Sequence, residues 1–341
     1  MNVGSSQPES KRITLLGDGG WGTALACLLA GNGHRATLWG NFPEITEEIR
    51  RLRENRKFLP GISIPKEVNL TNDLSEAIVG ADLVVFSTPV IYLRAVAEKA
   101  APALKGGKRP RVMTVAKGIE RETLLRGSEV LQQVLGVADV GILVGPSHAE
   151  EVARRLPTTI VAAARDEAFA VEIQRTFMND RFRVYTSTDT VGVEVGAAVK
   201  NVIAIAAGIC DGLGFGDNAK AALLTRGLAE IARLGAAMGA RRETFSGLSG
   251  LGDLITTCIS PYGRNLKVGL EIGRGKTLDK ALEEIAPMVP EGVWTTQAVC
   301  ALADRHGVQM PIARAVRSVL FENRSPLLAA RDLMTREPKP E

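Results

Sequence analysis

Residues 12–34, "RITLLGDGGWGTALACLLAGNGH", join a β-branched run to a glycine-rich turn and then to a helical period, which leaves few folds open. Gly17, Gly19 and Gly22 fall in G-x-G-x-x-G directly after the first strand and at the start of a helix. Gly17 permits the tight turn, Gly19 lets backbone approach a pyrophosphate, and Gly22 allows close helix packing while the helix N-terminus faces the anion. A plain tight turn has the same spacing. Strand, helix and position at the domain start all agree here on a dinucleotide site.

The alternation continues to about Ser187. "RITLLG", "RATLWG", "ADLVVFSTP", "RVMTVAKG", "VGILVGP", "TTIVAAA" and "RFRVYTS" read as strands, with "WGTALACLLAG", "VIYLRAVAEKAAPAL", "TLLRGSEVLQQVLG" and "DEAFAVEIQRTFM" as helices between them. This predicts an α/β fold: a Rossmann-like doubly wound domain with a mostly parallel sheet, whose ligands lie at the carboxyl ends of the strands. Beyond Thr190 the text is Ala, Leu and Gly in helical spacing, so an all-α domain is expected to follow. The boundaries are set at 12–188 for the dinucleotide-binding domain and 189–334 for the helical substrate domain, since 341 residues are long for one core. Residues 1–11 and the tail "REPKPE" are expected to be disordered.

Several function classes drop out. The net charge of +4 is spread over 42 basic and 38 acidic residues, without the aromatic-interleaved basic stripe of a nucleic-acid binder; a small anionic ligand suits it better. Cys27, Cys210, Cys258 and Cys300 form no C-x-x-C pair and are expected to be buried, reduced thiols. With only His34, His148 and His306, and no H-E-x-x-H, no metal site is expected. The start "MNVGSSQPESKR" has no apolar h-region, so the cytoplasm follows by default. "VGVEVGAAVKNVIAIAAGIC" resembles a membrane span, but Glu194, Lys200 and Asn201 interrupt it. A charge near a span centre costs about 2.5–3.5 kcal/mol on insertion scales, so this is expected to be a core helix without stable membrane insertion.

Lys200 then needs a reason, because a buried ammonium costs several kcal/mol unless paired or neutralised. Other chemistry-bearing positions each carry a plainer reading beside the functional one. Lys117 closes the strand "RVMTVAKG" at the edge where a nicotinamide would sit, or is a solvated loop lysine. In "GPSHAEEV", Ser147 and Glu150 fit a capping box, and the same helix start offers N–H groups to an anion. Asp253 in "SGLGDLITTC" reads as an N-cap. Arg264 and Asn265 in "GRN" put a planar guanidinium where phosphate oxygens could meet it, or on the bare surface. "GLEIGRGKT" fails as a Walker loop, since Leu270 stands where glycine is required. At the end of the second strand, where an NAD site often has an acid for the ribose 2′-hydroxyl, the chain has Gly40 and Asn41. Nothing there is expected to repel a 2′-phosphate, and Arg50 or Arg53 could reach one, which leaves the choice between NAD and NADP open.

Taken in order, "GDGGWGTALA", "NRKFLPGISIP", "VAKGIE", "GPSHAEEV", "VEVGAAVKNVIAIAAGICDGLGFGDNAKAALLTRGLAEI", "SGLGDLITTC" and "GRN" resemble the NAD(P)-dependent glycerol-3-phosphate dehydrogenases over about residues 12–334. The resemblance implies reversible reduction of dihydroxyacetone phosphate to sn-glycerol 3-phosphate with NAD(H) or NADP(H), supplying phospholipid synthesis. It implies that Lys200 transfers the proton, with Lys117 and Asp253 beside it in the catalytic set. Lys117, Gly145, Ser147, Asp253, Arg264 and Asn265 match substrate contacts. Gly17, Gly19, Gly20, Trp21, Gly22, Asn41, Pro89, Lys117, Ala149, Arg264, Val289 and Glu291 match the cofactor side.

The sequence departs from that pattern at Gly20, where Ser or Ala is common, and at Asn41, where a basic residue often stands. It departs also at His148, for Phe or Tyr, and at Gly263, for Ser, where a hydroxyl donor to substrate is lost. The expected partner is a phosphotriose, and a homodimer is possible. Without a well-placed histidine, a buried ammonium is the available acid. Burial and the second lysine should lower its pKa, and Asp253 should oppose this by pairing with one of them. A β-hydroxyacid or 6-phosphogluconate dehydrogenase, and a catalytically silent nucleotide sensor, are the competing readings.

Overall fold

The computed structural model describes residues 10–105 and 109–338. Ile13, Leu15 and Leu16 are fully covered in β1 (Arg12–Leu16), the near-continuous apolar run of a strand buried on both faces. The runs named above supply β2 (Arg35–Trp39), β6 (Leu83–Phe86), β7 (Arg111–Thr114), β8 (Gly141–Val144), β9 (Thr158–Ala163) and β10 (Phe182–Ser187). Too short or too polar to read from pattern, β3 (Glu54–Asn55), β4 (Leu59–Ser63) and β5 (Asn69–Thr71) come in addition.

The sheet runs β10-β9-β8-β7-β6-β1-β2-β5, while β3 and β4 pair separately. Because β2 lies on one side of β1 and β6 on the other, the strand order reverses at β1, and a crevice opens at its carboxyl end. Two strands depart from the parallel arrangement. β9 runs antiparallel to β8, and β10 follows β9. The link from β8 to β9 holds only the five-residue helix Ala149–Ala153, so the chain turns back at the edge it left from instead of crossing over. The helix expected over "TLLRGSEVLQQVLG" is also shorter, Gly127–Leu135, because Leu124 sits at a φ of 63° and interrupts the run.

The expected disorder of residues 1–11 and of the tail falls largely outside the described residues. Ser10 and Lys11 are within them and anchored, Ser10 Oγ donating to the Gly33 carbonyl at 2.8 Å and Lys11 pairing with Glu172. The cysteines are free, but Cys27 and Cys210 are only half-buried.

From Thr190 onward the described chain holds no strand. Its centre is the helix Thr190–Gly212, capped where Asp189 accepts from the Gly192 N–H at 2.9 Å. It is long and apolar enough to cross a membrane, yet 94% of its most apolar window is buried inside the protein. Around it pack the helices Asp217–Ala237, Asp253–Ile259, Arg264–Gly273 and Glu291–Arg305. The Arg264–Gly273 helix approaches so closely that a Cβ on Gly269 would lie 2.0 Å from the Ile205 carbonyl oxygen.

Two contacts hold the lysine helix against the sheet. Val193 and Ala197 pack on Ile142, Val144, Val161 and Ala163. One turn away, the buried Glu194 carboxylate accepts from the Ser128 N–H at 2.8 Å and its hydroxyl at 2.6 Å, and pairs with the buried Arg126 guanidinium. Removing one side of such a pair strands the other in low dielectric. Glu194→Ala should therefore cost about 3–5 kcal/mol, read as a lowered urea midpoint.

Candidate active site

The strands that end just before Gly17, Ser87, Val115 and Gly145 all point their carboxyl ends at one edge, and the site is built there. Gly17 has a φ of 128°, and a Cβ on Gly22 would fall 2.0 Å from the Gly17 carbonyl oxygen, so neither position tolerates a side chain. Nothing lies within 4 Å of where a Cβ on Gly19 would point, leaving the backbone open to a ligand. Pro89 caps the helix Val90–Leu104, and the Val90 N–H donates to Glu291 Oε1 at 2.9 Å. Val289 is half-buried just before Glu291, so the segment "PMVPEGV" faces the β6 end.

Over this edge the lysine helix brings Lys200, 4% exposed, to Asp253, 1% exposed. Lys200 Nζ donates to Asp253 Oδ1 at 2.8 Å and to the Thr257 hydroxyl, while Lys117 Nζ reaches Asp253 Oδ2 at 3.0 Å and the Gly145 carbonyl at 2.7 Å. Asp253 thus pairs with both amines, not one, and the capping reading of its side chain is wrong. It is the first residue of its helix, whose N-cap is Gly252. Thr257 lies one turn on, at i+4, a spacing from which its place beside Asp253 could have been read.

Electrostatics follow from this burial. Desolvation pulls Lys200 down to about 8, with the Lys117 charge acting in the same direction and Asp253 opposing. Burial pushes the Asp253 carboxyl up, but the two ammoniums outweigh it and hold it below the ordinary carboxylate range.

A histidine is also well placed, against expectation. His148 is pushed down to about 4 by burial and by Lys117 and Lys200, so it is neutral at pH 7. Its ring lies 5.7 Å from that of Tyr262, and its Nε2 is buried with no partner among the described residues.

A second device joins two amides whose contact the sequence did not show. Asn201 Nδ2 donates to the Lys117 carbonyl at 2.8 Å, Asn265 Nδ2 to Asn201 Oδ1 at 3.0 Å, and the Gly292 N–H to Asn265 Oδ1 at 3.0 Å. This amide chain ties the end of β7 to three helices. It occupies most of Asn265, leaving one Nδ2 hydrogen for a ligand. Arg264 is exposed and makes no hydrogen bond or ion pair among the described residues.

Other expectations need correction. Ser147 does not cap the helix Ala149–Ala153: His148 is the N-cap, and the Ser147 hydroxyl donates to the Gly145 carbonyl at 3.0 Å. Arg50 and Arg53 are already engaged, Arg50 with the Leu70 carbonyl and the Glu47 carboxylate and Arg53 with the carbonyls of Ile64, Pro65 and Val68. Asn41 is exposed and accepts from Lys99 Nζ at 3.0 Å. Two of the departures from the family pattern have a steric basis here. A Cβ on Gly20 would lie 2.6 Å from the Phe58 carbonyl oxygen and 3.7 Å from Ala149 Cβ, and one on Gly263 would lie 2.9 Å from the Thr257 carbonyl oxygen.

The open backbone at Gly19 and the unpartnered buried atoms Trp21 Nε1 and His148 Nε2 fit a dinucleotide seated along this edge. A glycine-loop sheet with a buried lysine carried over it by a helical domain defines a two-domain nicotinamide-dependent oxidoreductase.

Comparison with known proteins narrows the class. The NAD-dependent glycerol-3-phosphate dehydrogenase N-terminus matches residues 12–170 and the C-terminus 189–331. A glycerol-3-phosphate dehydrogenase [NAD(P)+] of Salinibacter ruber is 51% identical over 332 residues, 96% of each chain, and one of Agathobacter rectalis is 47% identical over 97% of each. The crystal structure of glycerol-3-phosphate dehydrogenase from Coxiella burnetii superposes with a TM-score of 0.91 at 35% identity, covering 96% of this chain and 99% of that one. The chain belongs to the NAD-dependent glycerol-3-phosphate dehydrogenases.

Because Lys117 remains to neutralise Asp253, Lys200→Met should lie within about 1 kcal/mol of wild type or above it in urea denaturation. Asp253→Ala, which leaves two ammoniums facing each other, should lose about 3–5 kcal/mol in the same experiment.

Proposed function

We infer that this chain is a NAD(P)-dependent glycerol-3-phosphate dehydrogenase, reducing dihydroxyacetone phosphate reversibly to sn-glycerol 3-phosphate and so feeding glycerophospholipid synthesis. The observation that carries the reading is the pair of lysines, one from each domain, meeting on a single buried carboxylate at the ligand edge of the sheet. When bound, the reduced nicotinamide supplies the hydride. Gly17, Gly19, Gly20 and Gly22 would hold the pyrophosphate, with Trp21, Asn41, Pro89, Ala149, Val289 and Glu291 along the rest of the cofactor.

Lys200 meets the charge that develops on the substrate oxygen and gives it a proton, so the ketone oxygen becomes the hydroxyl and the amine is left neutral. Lys117, with its side chain 16% exposed, holds the same oxygen or its neighbour by a second charge-assisted bond. Asp253 aims both amines and keeps Lys200 protonated near neutral pH. The neutral His148, Gly145 and Ser147 line the substrate side. Arg264, with the spare Asn265 N–H, would clamp the phosphate away from the reacting carbon, turning its binding energy into orientation. The free thiols support a reducing compartment, the cytoplasm.

Lys200→Ala should lower turnover by about 10²–10⁴ while cofactor binding, measured by calorimetry, is nearly unchanged; comparable turnover would refute the assignment. As Lys200 must be protonated to act as acid, kcat/KM for reduction should fall as pH rises through about 8. Arg264→Ala should raise KM for dihydroxyacetone phosphate and leave unphosphorylated dihydroxyacetone unaffected. An equal loss with both would remove the clamp.

A further inference from the structure

The end of β2 lacks the acid that usually holds the adenosine ribose, and Gly40 stands in its place. The space is not empty. A Cβ built on Gly40 would fall 2.4 Å from Asp18 Oδ2, 2.8 Å from its Cγ and 2.4 Å from the Thr46 hydroxyl oxygen, so the Asp18 carboxylate and Thr46 together fill the volume of the missing side chain. Asp18 reaches there from inside the glycine loop, and Asn55 pins its backbone, donating from Nδ2 to the Asp18 carbonyl at 2.7 Å. Asp18 Oδ2 is buried and has no hydrogen-bond partner among the described residues. A buried carboxylate oxygen is seldom left so, and a ligand hydroxyl or an ordered water would satisfy it.

We propose that Asp18 replaces the absent β2 acid, holding the ribose hydroxyls of the adenosine half and excluding a 2′-phosphate, so that NADH is the preferred cofactor. This rests on the dehydrogenase reading and adds the choice of cofactor to it.

The charges around Asp18 point the same way. Burial raises its pKa to about 6, with Lys57 opposing and Glu44 reinforcing, so it is still largely ionised at pH 7.5. The guanidinium groups of Arg50 and Arg53 are turned to backbone carbonyls. Lys57 and Lys99 remain as nearby cations, but both are exposed, and solvent screens their attraction for a phosphate more than it screens repulsion from a buried carboxylate. The Gly40 vacancy and the Asp18 carboxylate are therefore two halves of one substitution: the acid has moved from the second strand to the loop.

The test is calorimetric binding of NADH and NADPH to the full-length protein at pH 7.5. Wild type should bind NADH at least about tenfold tighter, and Asp18→Asn, of the same shape, should narrow that ratio by about tenfold. Asp18→Ala combined with Gly40→Asp and Thr46→Ala, which clears both neighbours and returns the acid to the strand, should restore the preference. Equal affinities in wild type, or a ratio unmoved in Asp18→Asn, would overturn the proposal. Turnover of dihydroxyacetone phosphate by wild type with whichever cofactor binds separates this from failure of the dehydrogenase reading: binding without turnover would count against the latter alone.

Discussion

One buried carboxylate organises the molecule. Asp253 lies almost out of contact with water and would be neutral there if alone, yet two ammoniums keep it ionised. In turn it makes tolerable a lysine in the middle of the most apolar helix of the chain. The Lys200 ammonium is not stable in that position without Asp253, whereas Asp253 keeps a second partner in Lys117, which joins the set only when the sheet is docked beneath. Electrostatic pairing and domain docking are thus one event, and the catalytic geometry is its by-product.

The large features were legible because hydrophobic period and glycine spacing are local signals. Every strand expected from an aliphatic run is present, and the change from β-branched to Ala- and Leu-rich text near Thr190 coincides with the start of the lysine helix. What local pattern could not show was direction. Nothing in "TTIVAAA" says that β9 runs against β8; the length and content of the preceding link decide it. The short strands β3 to β5 carry too few apolar residues to announce themselves.

At the site, residue identity was readable and partnership was not. Lys200 stood out as a charge in an apolar helix, whereas Asp253 beside glycines looked like an ordinary cap, because its two partners lie 53 and 136 residues away. Ser147 matched a capping pattern that the backbone does not use, since the helix begins one residue later, with His148 at its N-cap. Asn201 in an apolar helix and Asn265 beside Arg264 were each conspicuous, but only the packed helices show that these two meet. His148 showed only as a departure from Phe or Tyr, although the charges of Lys117 and Lys200 both act on its ring.

The lysine helix has one more consequence, which concerns the chain before it folds. With a mean hydropathy of 1.7 in its most apolar window, the emerging polypeptide offers a segment that an insertion channel could accept as an anchor. Glu194 and Lys200 each raise the cost of that mistake by about 2.5–3.5 kcal/mol when near the centre of the bilayer. The side chains that later pair with Arg126 and Asp253 would therefore act first as sorting marks, biasing the nascent segment away from lipid before any tertiary partner exists.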